Sequence, residues 1–148
     1  MLKDWSTKFL YSNNTNQVLE ISQDIINQLF KHSSQGLPEE VCGYLAGSGR
    51  AVTVHFQLTN IDHSPEHFSF DPAEQFKVVR EVRKAGLEIL ANYHSHPETP
   101  ARPSVEDIRL AYDPNISYVI ISLAGEHPDI KSFIIRNGVV EIEEIQII

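Results

Sequence analysis

The chain has 148 residues, of which 41% are hydrophobic and 22% are charged, and its formal net charge is −8 at pH 7. These values are typical of one globular domain and exclude a disordered or fibrous protein. The acidic excess argues against a nucleic-acid-binding surface, which needs clustered lysines and arginines. No apolar run approaches the roughly 18 residues of a membrane span, so we expect no membrane association.

The first sixteen residues are predicted to form a polar lead-in, which lacks the continuous apolar segment of a signal peptide. We expect residues 17–148 to form a single folded domain. Cys42 is the only cysteine in the sequence, so neither an intrachain disulfide nor a cysteine-rich zinc site can form. A reducing, cytoplasmic location is therefore expected.

The first predicted elements are a short strand over residues 17–21 and a helix that begins after Ser22. Ser22 is a favourable N-cap residue, an apolar stripe with helical spacing follows it, and Gly36 ends the helix. Two further strands are predicted over residues 41–47 and 51–58, with a tight glycine-containing turn between them.

A loop is predicted over residues 60–70, and a second helix follows with Asp71 as its N-cap. Its core face is expected to carry Phe76, Val79 and Val82. The second half should then contain a strand, a proline-rich loop, a short helix and three strands: 87–96, 97–103, 104–112, 118–123, 131–136 and 139–148. Because strands and helices alternate irregularly, we predict an α/β (α+β) fold with a mixed, mainly antiparallel sheet flanked by helices.

Two histidines at the end of the fourth predicted strand indicate a metal site. Residues two apart on a strand point to the same face, so His94 and His96 can direct their imidazoles to one point. Pro97 cannot continue a central strand, which places the pair at a strand end. A carboxylate from the next helix would complete two histidines and one acid around an open position, which is a ligand set of catalytic zinc.

Each part of this pattern also has an ordinary structural explanation. Ser104 and Asp107 have the spacing of a helix capping box, and we do not expect Asp107 to complete that box while its carboxylate binds a metal. Glu39 and Glu40 are typical of solvated residues before a strand, and Cys42 is typical of an inert buried thiol. The other histidines are predicted to be surface or loop residues: His32, His55, His63, His67 and His127.

Together, a glutamate before a strand, a His-x-His-Pro strand end and a Ser-x-x-Asp helix start resemble the motif of the JAMM (MPN+) metalloproteases. The matching residues are Glu40, His94, His96, Ser104 and Asp107. Seven residues separate His96 from Ser104, as the family pattern requires. The resemblance extends to residues 40–47 and 68–72 and suggests a small prokaryotic-type member. It implies one MPN/JAMM-like (cytidine-deaminase-like) catalytic domain over residues 17–148.

The resemblance implies a role for each residue of the motif. His94, His96 and Asp107 would bind one Zn²⁺ per chain and leave the fourth position to a water molecule. Glu40 would act as the general base, and it matches the family motif by position whereas Glu39 does not. Ser104 would donate a hydrogen bond to the developing oxyanion.

The resemblance also implies the substrate. Family members hydrolyse peptide or isopeptide bonds after the C-terminal glycine of ubiquitin or ubiquitin-like proteins, and some small prokaryotic members act on sulfur-carrier proteins. The implied partner is thus a ubiquitin-like or sulfur-carrier protein with a Gly-Gly tail. Two alternatives stay open, namely a non-catalytic MPN scaffold and a zinc amidase for small molecules. A nucleobase deaminase is excluded because one cysteine cannot provide its zinc ligands.

Overall fold

The structure, a computed structural model, describes residues 11–12 and 17–148, so most of the predicted lead-in lies outside the described residues. Within them it contains eight strands and three helices. Their bounds are β1 (Tyr11–Ser12), β2 (Val18–Ile21), α1 (Gln23–Gln35), β3 (Cys42–Ser48), β4 (Ala51–Leu58), α2 (Pro72–Lys84), β5 (Glu88–His96), α3 (Val105–Arg109), β6 (Ser117–Ser122), β7 (Asp129–Arg136) and β8 (Val139–Ile147).

The strands form one mixed sheet in the order β1-β8-β2-β4-β3-β5-β6-β7. Strand β3 is antiparallel to both β4 and β5, and β7 is antiparallel to β6 and β8. Strand β5 is parallel to β6, and β2 is parallel to β8. The predicted α+β fold with a mixed sheet is confirmed. Strands β7 and β8 form the hairpin that Asn137 and Gly138 indicate. Because β8 also pairs with β2, this hairpin closes the sheet on itself, and the closure was not predicted.

Side chains alternate between the two faces of the central strands β3 and β5. Leu45 and Tyr93 pack with Leu29 of α1 on one face. Cys42 and Tyr44 belong to the cluster that includes Val78 and Val82 of α2 on the other face, which we call the α2 side. Cys42 and Tyr44 pair with His94 and Asn92, and residues two apart on a strand share a face, so Asn92, His94 and His96 lie on the α2 side. The predicted metal ligands of β5 therefore lie on this side of the sheet.

The prediction that Phe76 faces the core is wrong. The residues of α2 that are buried are Val78 and Val82, whereas Phe76 is 65% exposed. Val78 and Val82 lie four residues apart, so they share one face of the helix, and Phe76 projects from another. The guanidinium group of Arg80 lies 5.3 Å from the centre of the Phe76 ring, which gives the exposed ring a cation–π contact.

Helix α3 is shorter than predicted and ends at Arg109 rather than near residue 112. Asp113 precedes Pro114, and a residue before proline disfavours helical backbone angles. Leu110 is the C-cap of α3, and its N–H still donates to the carbonyl of Glu106 at 3.0 Å. Among the described residues, no helix has the length and apolar character needed to cross a membrane.

A buried polar cluster lies where the sheet closes. The Glu143 side chain of β8 is fully buried, and its Oε1 accepts hydrogen bonds from the hydroxyls of Ser117 and Ser132 at 2.6 and 2.7 Å. Its Oε2 accepts from the guanidinium of Arg50 at 2.6 Å. Because Ser117 is on β6, Ser132 on β7 and Arg50 in the β3–β4 turn, this cluster joins distant parts of the sheet.

Candidate metal centre

The structure brings the three predicted metal ligands together. The Nε2 atoms of His94 and His96 are 3.0 Å apart, and Oδ2 of Asp107 lies 3.1 Å from His96 Nε2 and 3.3 Å from His94 Nε2. In a tetrahedral site with Zn–N and Zn–O bonds near 2.0–2.1 Å, ligand atoms lie about 3.3 Å from one another. The spacing and chemistry of the three donors therefore fit a zinc ion.

Both imidazole rings are held in place by contacts that do not involve their Nε2 atoms. His96 is fully buried, and its Nδ1–H donates to the carbonyl of Pro100 at 2.8 Å. This bond leaves the lone pair of His96 on Nε2, the atom that faces Asp107. The ring of His94 stacks on Phe68 with centroids 4.6 Å apart and an interplanar angle of 27°. The two rings are thus oriented for metal binding.

Ser104 and Asp107 form a complete capping box at the start of α3. The Ser104 hydroxyl accepts from the backbone N–H of Asp107 at 3.1 Å, and Asp107 Oδ2 accepts from the backbone N–H of Ser104 at 2.9 Å. The capping box is therefore complete while the same oxygen faces the histidines, and whether it persists with a metal bound stays a prediction. One carboxylate oxygen has two lone pairs, so Oδ2 can serve both sides.

Glu40 is 1% exposed and directly precedes Val41 and strand β3. Cys42 pairs with His94, and the Ser95 N–H donates to the carbonyl of Val41 at 3.0 Å, so the antiparallel register continues beyond the named strand. This register places Glu40 beside His96, on the same face as the ligands.

Glu39 is placed differently from its neighbour. Its side chain is 39% exposed and lies 3.4 Å from Nδ1 of His63 in the surface loop. Of the two adjacent acids, Glu40 is therefore the one that faces the candidate centre.

Loop 60–70 holds the backbone of Glu40. Asn60 is 6% exposed, and its Nδ2 donates to the carbonyls of Glu40 and His67, both at 3.0 Å. Its Oδ1 accepts from the backbone N–H of Asp62 at 3.0 Å. The N–H of Glu40 donates to the carbonyl of Ser64 at 2.9 Å. Sequence reasoning missed Asn60, because an asparagine in a polar loop carries no distinguishing signal.

A cleft of about 440 Å³ opens beside the candidate centre, and His94 and Asp107 form part of its lining. Phe68 and Phe70 of loop 60–70 line it on one side, and Leu110 after α3 also contributes to its lining. This size and apolar character are typical of a ligand-binding site.

Cys42 does not contribute a reactive group. Burial, with smaller effects from nearby carboxylates such as Glu74 and Glu40, raises the pKa of its thiol to about 12. Because the thiolate is the nucleophilic and metal-binding form, the predicted inert role is supported.

The prediction that His32 and His55 are surface or loop residues is wrong. Both are half-buried and lie on α1 and β4, respectively. Nδ1 of His32 is 2.8 Å from the hydroxyl oxygen of Tyr93, and burial lowers the pKa of both histidines. The other three predicted surface histidines, His63, His67 and His127, are exposed in loops.

Residues 22–136 match the family model described as prokaryotic homologs of the JAB domain. The chain belongs to this family. It is thus a small prokaryotic-type member of the JAMM/MPN group, as the sequence motif indicated.

The chain is similar to several named prokaryotic proteins. It is 36% identical over 135 residues to the CysO-cysteine peptidase of Mycobacterium tuberculosis, covering 88% of this chain and 92% of that protein. It is 32% identical over 118 residues to the desampylase of Haloferax volcanii, covering 75% of this chain and 85% of that protein. A probable TtuB-protein conjugate cleaving protease of Thermus thermophilus is 32% identical over 122 residues, covering 82% of this chain and 78% of that protein.

Solved structures support the fold assignment. A protein from Desulfitobacterium hafniense has 47% sequence identity and a TM-score of 0.80, covering 88% of this chain and 92% of that one. A JAB1/MPN domain protein from Archaeoglobus fulgidus has 20% identity and a TM-score of 0.62, covering 90% and 100% of the two chains.

Proposed function

We propose that this chain is a zinc-dependent metallopeptidase that hydrolyses the peptide or isopeptide bond after the C-terminal glycine of a ubiquitin-like or sulfur-carrier protein. The observation that carries the proposal is the convergence of three ligand atoms within 3.3 Å of one another, with buried Glu40 on the same face. The named relatives, which include a CysO-cysteine peptidase and desampylases, support this substrate class.

Each residue has a separate task in the proposed reaction. His94, His96 and Asp107 hold the metal, and a zinc ion there would supply Lewis-acid polarisation and hydroxide at neutral pH. The carboxylate of Glu40 accepts a proton from the attacking water and returns it to the leaving amine. The Ser104 hydroxyl accepts from Asp107 through a lone pair, so its proton can be donated to the oxygen that becomes negatively charged.

The alternatives from the sequence are less well supported. A non-catalytic scaffold would not need the buried arrangement of ligands and acid, since burying Glu40 costs free energy that a binding module has no reason to bear. A small-molecule amidase would not account for the protein-processing relatives. The single buried cysteine favours a reducing compartment, so we propose that the reaction takes place in the cytoplasm.

The test is metal analysis of the purified protein, followed by mass spectrometry of two substrates. One is a carrier protein with an amino acid added after its Gly-Gly tail, and the other is the same carrier joined to a lysine side chain. We expect about one zinc per chain and release of a carrier that ends in Gly-Gly. Stoichiometric zinc with no hydrolysis of either conjugate would contradict the proposed substrate class, and absence of zinc would contradict the metallopeptidase.

A further inference from the structure

The floor of the cleft beside the candidate centre carries the carboxamide of Asn92. Asn92 pairs with Tyr44 on β3 and with Tyr118 on β6, so the three side chains lie in one row across the sheet. The Oδ1 atom of Asn92 is buried and has no hydrogen-bond partner among the residues that the structure describes. Buried polar atoms in native proteins are nearly always hydrogen-bonded, so an exception in a cleft points to a ligand.

Neither neighbouring tyrosine hydroxyl hydrogen-bonds Oδ1 of Asn92, and both make hydrogen bonds to other residues. The hydroxyl of Tyr44 accepts from Nε2 of Gln75 at 2.7 Å. The hydroxyl of Tyr118 donates to the carbonyl of Asp113 at 2.8 Å and accepts from its N–H at 3.0 Å. The Asn92 carboxamide, which has both a donor and an acceptor, is thereby left to face the cleft.

The register of β3 and β5 gives this site a direction relative to the reaction. Along β5, Asn92 comes two residues before His94, and Glu40 lies beyond His94, next to His96. In the proposed reaction Glu40 delivers a proton to the leaving amine, so the amine lies on the Glu40 side. The acyl part of the substrate, which is the tail of the carrier, then extends towards Asn92.

The distance along the strand and the lining of the cleft define what can bind there. Two residues of a strand span about 6.6 Å, so Asn92 lies about two peptide units from the reacting carbonyl. The acidic residues in the lining are Glu106, Asp107 and Asp113. Two histidines also line the cleft, and most of the remaining lining is aromatic or aliphatic. An extended segment with an apolar side chain and no carboxylate is the matching ligand.

We propose that Asn92 hydrogen-bonds a backbone peptide group in the carrier tail just before the Gly-Gly pair, while the apolar cleft holds the adjacent side chain. This assignment makes Asn92 a residue that determines specificity for the tail, and it rests on the proposed function. The cleft would thus recognise the tail by a bulky apolar residue ahead of the two glycines, which have no side chains.

The test compares Asn92→Ala with the wild type on two substrates. The long substrate has an apolar residue and one further residue before its Gly-Gly amide, and the short one is an acetylated Gly-Gly amide. We expect Asn92→Ala to raise KM for the long substrate about tenfold to a hundredfold, as expected for one or two lost hydrogen bonds, with little change in kcat. The loss on the short substrate should be clearly smaller. The matched control is Asn27→Ala, on the exposed face of α1, which should behave as the wild type.

A second measurement separates this proposal from the proposed function. The product peptide, with the same tail and a free Gly-Gly carboxylate, is titrated into the zinc-loaded wild type and into Asn92→Ala. A tenfold or greater weakening in the variant supports the tail site even if no conjugate is hydrolysed. Equal binding by both proteins, or equal loss of activity on the long and short substrates, would overturn it.

Discussion

Ser104 and Asp107 bond to each other twice, and the second bond uses the same carboxylate oxygen that faces the metal site. Oδ2 of Asp107 accepts the backbone N–H of Ser104 at 2.9 Å and lies 3.1 Å from Nε2 of His96. The reciprocal bond runs from the Asp107 N–H to the Ser104 hydroxyl at 3.1 Å. The start of helix α3 and the position of a proposed metal ligand are therefore fixed by one pair of residues.

Replacing Ser104 should lower both the free energy of unfolding and kcat, and the two effects can be measured separately. Ser104→Ala loses the bond to the Asp107 N–H but keeps its own backbone N–H, so we expect a loss of about 0.5–2 kcal/mol in the free energy of unfolding. Loss of the oxyanion donor should lower kcat by about 10²–10³ with zinc retained. Ser104→Thr, which keeps a hydroxyl, should retain more activity. If Ser104→Ala melts at lower temperature but cleaves at the wild-type rate, Ser104 is a helix cap alone.

Removal of metal ligands should abolish zinc binding. We expect about one zinc per chain in the wild type and almost none in Asp107→Asn or in the double variant His94→Ala/His96→Ala. The matched control is His127→Ala, because His127 is exposed in a loop. Zinc and protein are measured on the same dialysed samples. Full zinc content in the double variant would place the metal elsewhere.

The two adjacent glutamates provide a matched test of the general base. Glu40→Gln should keep zinc and lower kcat by about 10²–10⁴, the range for loss of a general base. Glu39→Gln should behave as the wild type, because Glu39 is 39% exposed and faces the surface loop. The measurement is kcat with one carrier substrate for both variants. An active Glu40→Gln together with an inactive Glu39→Gln would assign the base to the other residue.

The site was more predictable from the sequence than its supporting contacts. His94 and His96 share a face because strands have a period of two, and Asp107 follows at a helix start marked by Ser104. Asn60 and Asn92 carried no such signal, since the role of each depends on residues that are distant in sequence. The pairing of Asn92 with Tyr44 and Tyr118, for example, is set by the register of the sheet.

Half-buried His32 should make stability depend on pH. Burial and the nearby His55 lower its pKa from 6.5 to about 4 in the folded protein. Between these values the unfolded chain binds more protons than the folded one, so the free energy of unfolding should fall as pH drops from about 6.5 towards 4. His32→Asn should make this slope shallower, whereas His127→Asn should not. Urea unfolding at several pH values measures the pH dependence of the free energy of unfolding. An unchanged slope in His32→Asn would show that His32 is not its cause.

The buried cluster around Glu143 should be a major contribution to stability. Arg50→Ala removes a 35%-exposed cation from a fully buried carboxylate and should cost about 1–3 kcal/mol of unfolding free energy, the range for a buried polar group that loses a partner. Glu143→Gln leaves the Arg50 cation without its counter-ion, but the Arg50 side chain is 35% exposed and water can solvate it, so this variant should cost less. The matched control is Arg136→Ala, which removes an exposed bond to the carbonyl of Pro114 and should change stability by less than about 0.5 kcal/mol. Equal stability of Arg50→Ala and Arg136→Ala would show that the cluster is dispensable.

The fold was predictable where local rules decide it and less so where they do not. Ser22 caps α1 by accepting the N–H of Ile25 at 3.2 Å, as its sequence position indicated. The orientation of Phe76 was mispredicted because an apolar residue on a helix does not by itself show which face meets the sheet. Closure of the sheet depends on the β7–β8 and β2–β8 pairings. Only the β7–β8 pairing has a local sequence signal, which is the Asn137-Gly138 turn.

The three proposed ligand residues lie on one continuous segment from β5 to α3, whereas the backbone of Glu40 is hydrogen-bonded to loop 60–70. Segments with little regular structure open at lower free energy than central strands. After mild heating or exposure to low denaturant, some molecules would then keep a metal on the three proposed ligands while Glu40 has been displaced together with loop 60–70. The metal-to-protein ratio would overstate the fraction of working enzyme, so turnover numbers should be normalised by titration of active sites.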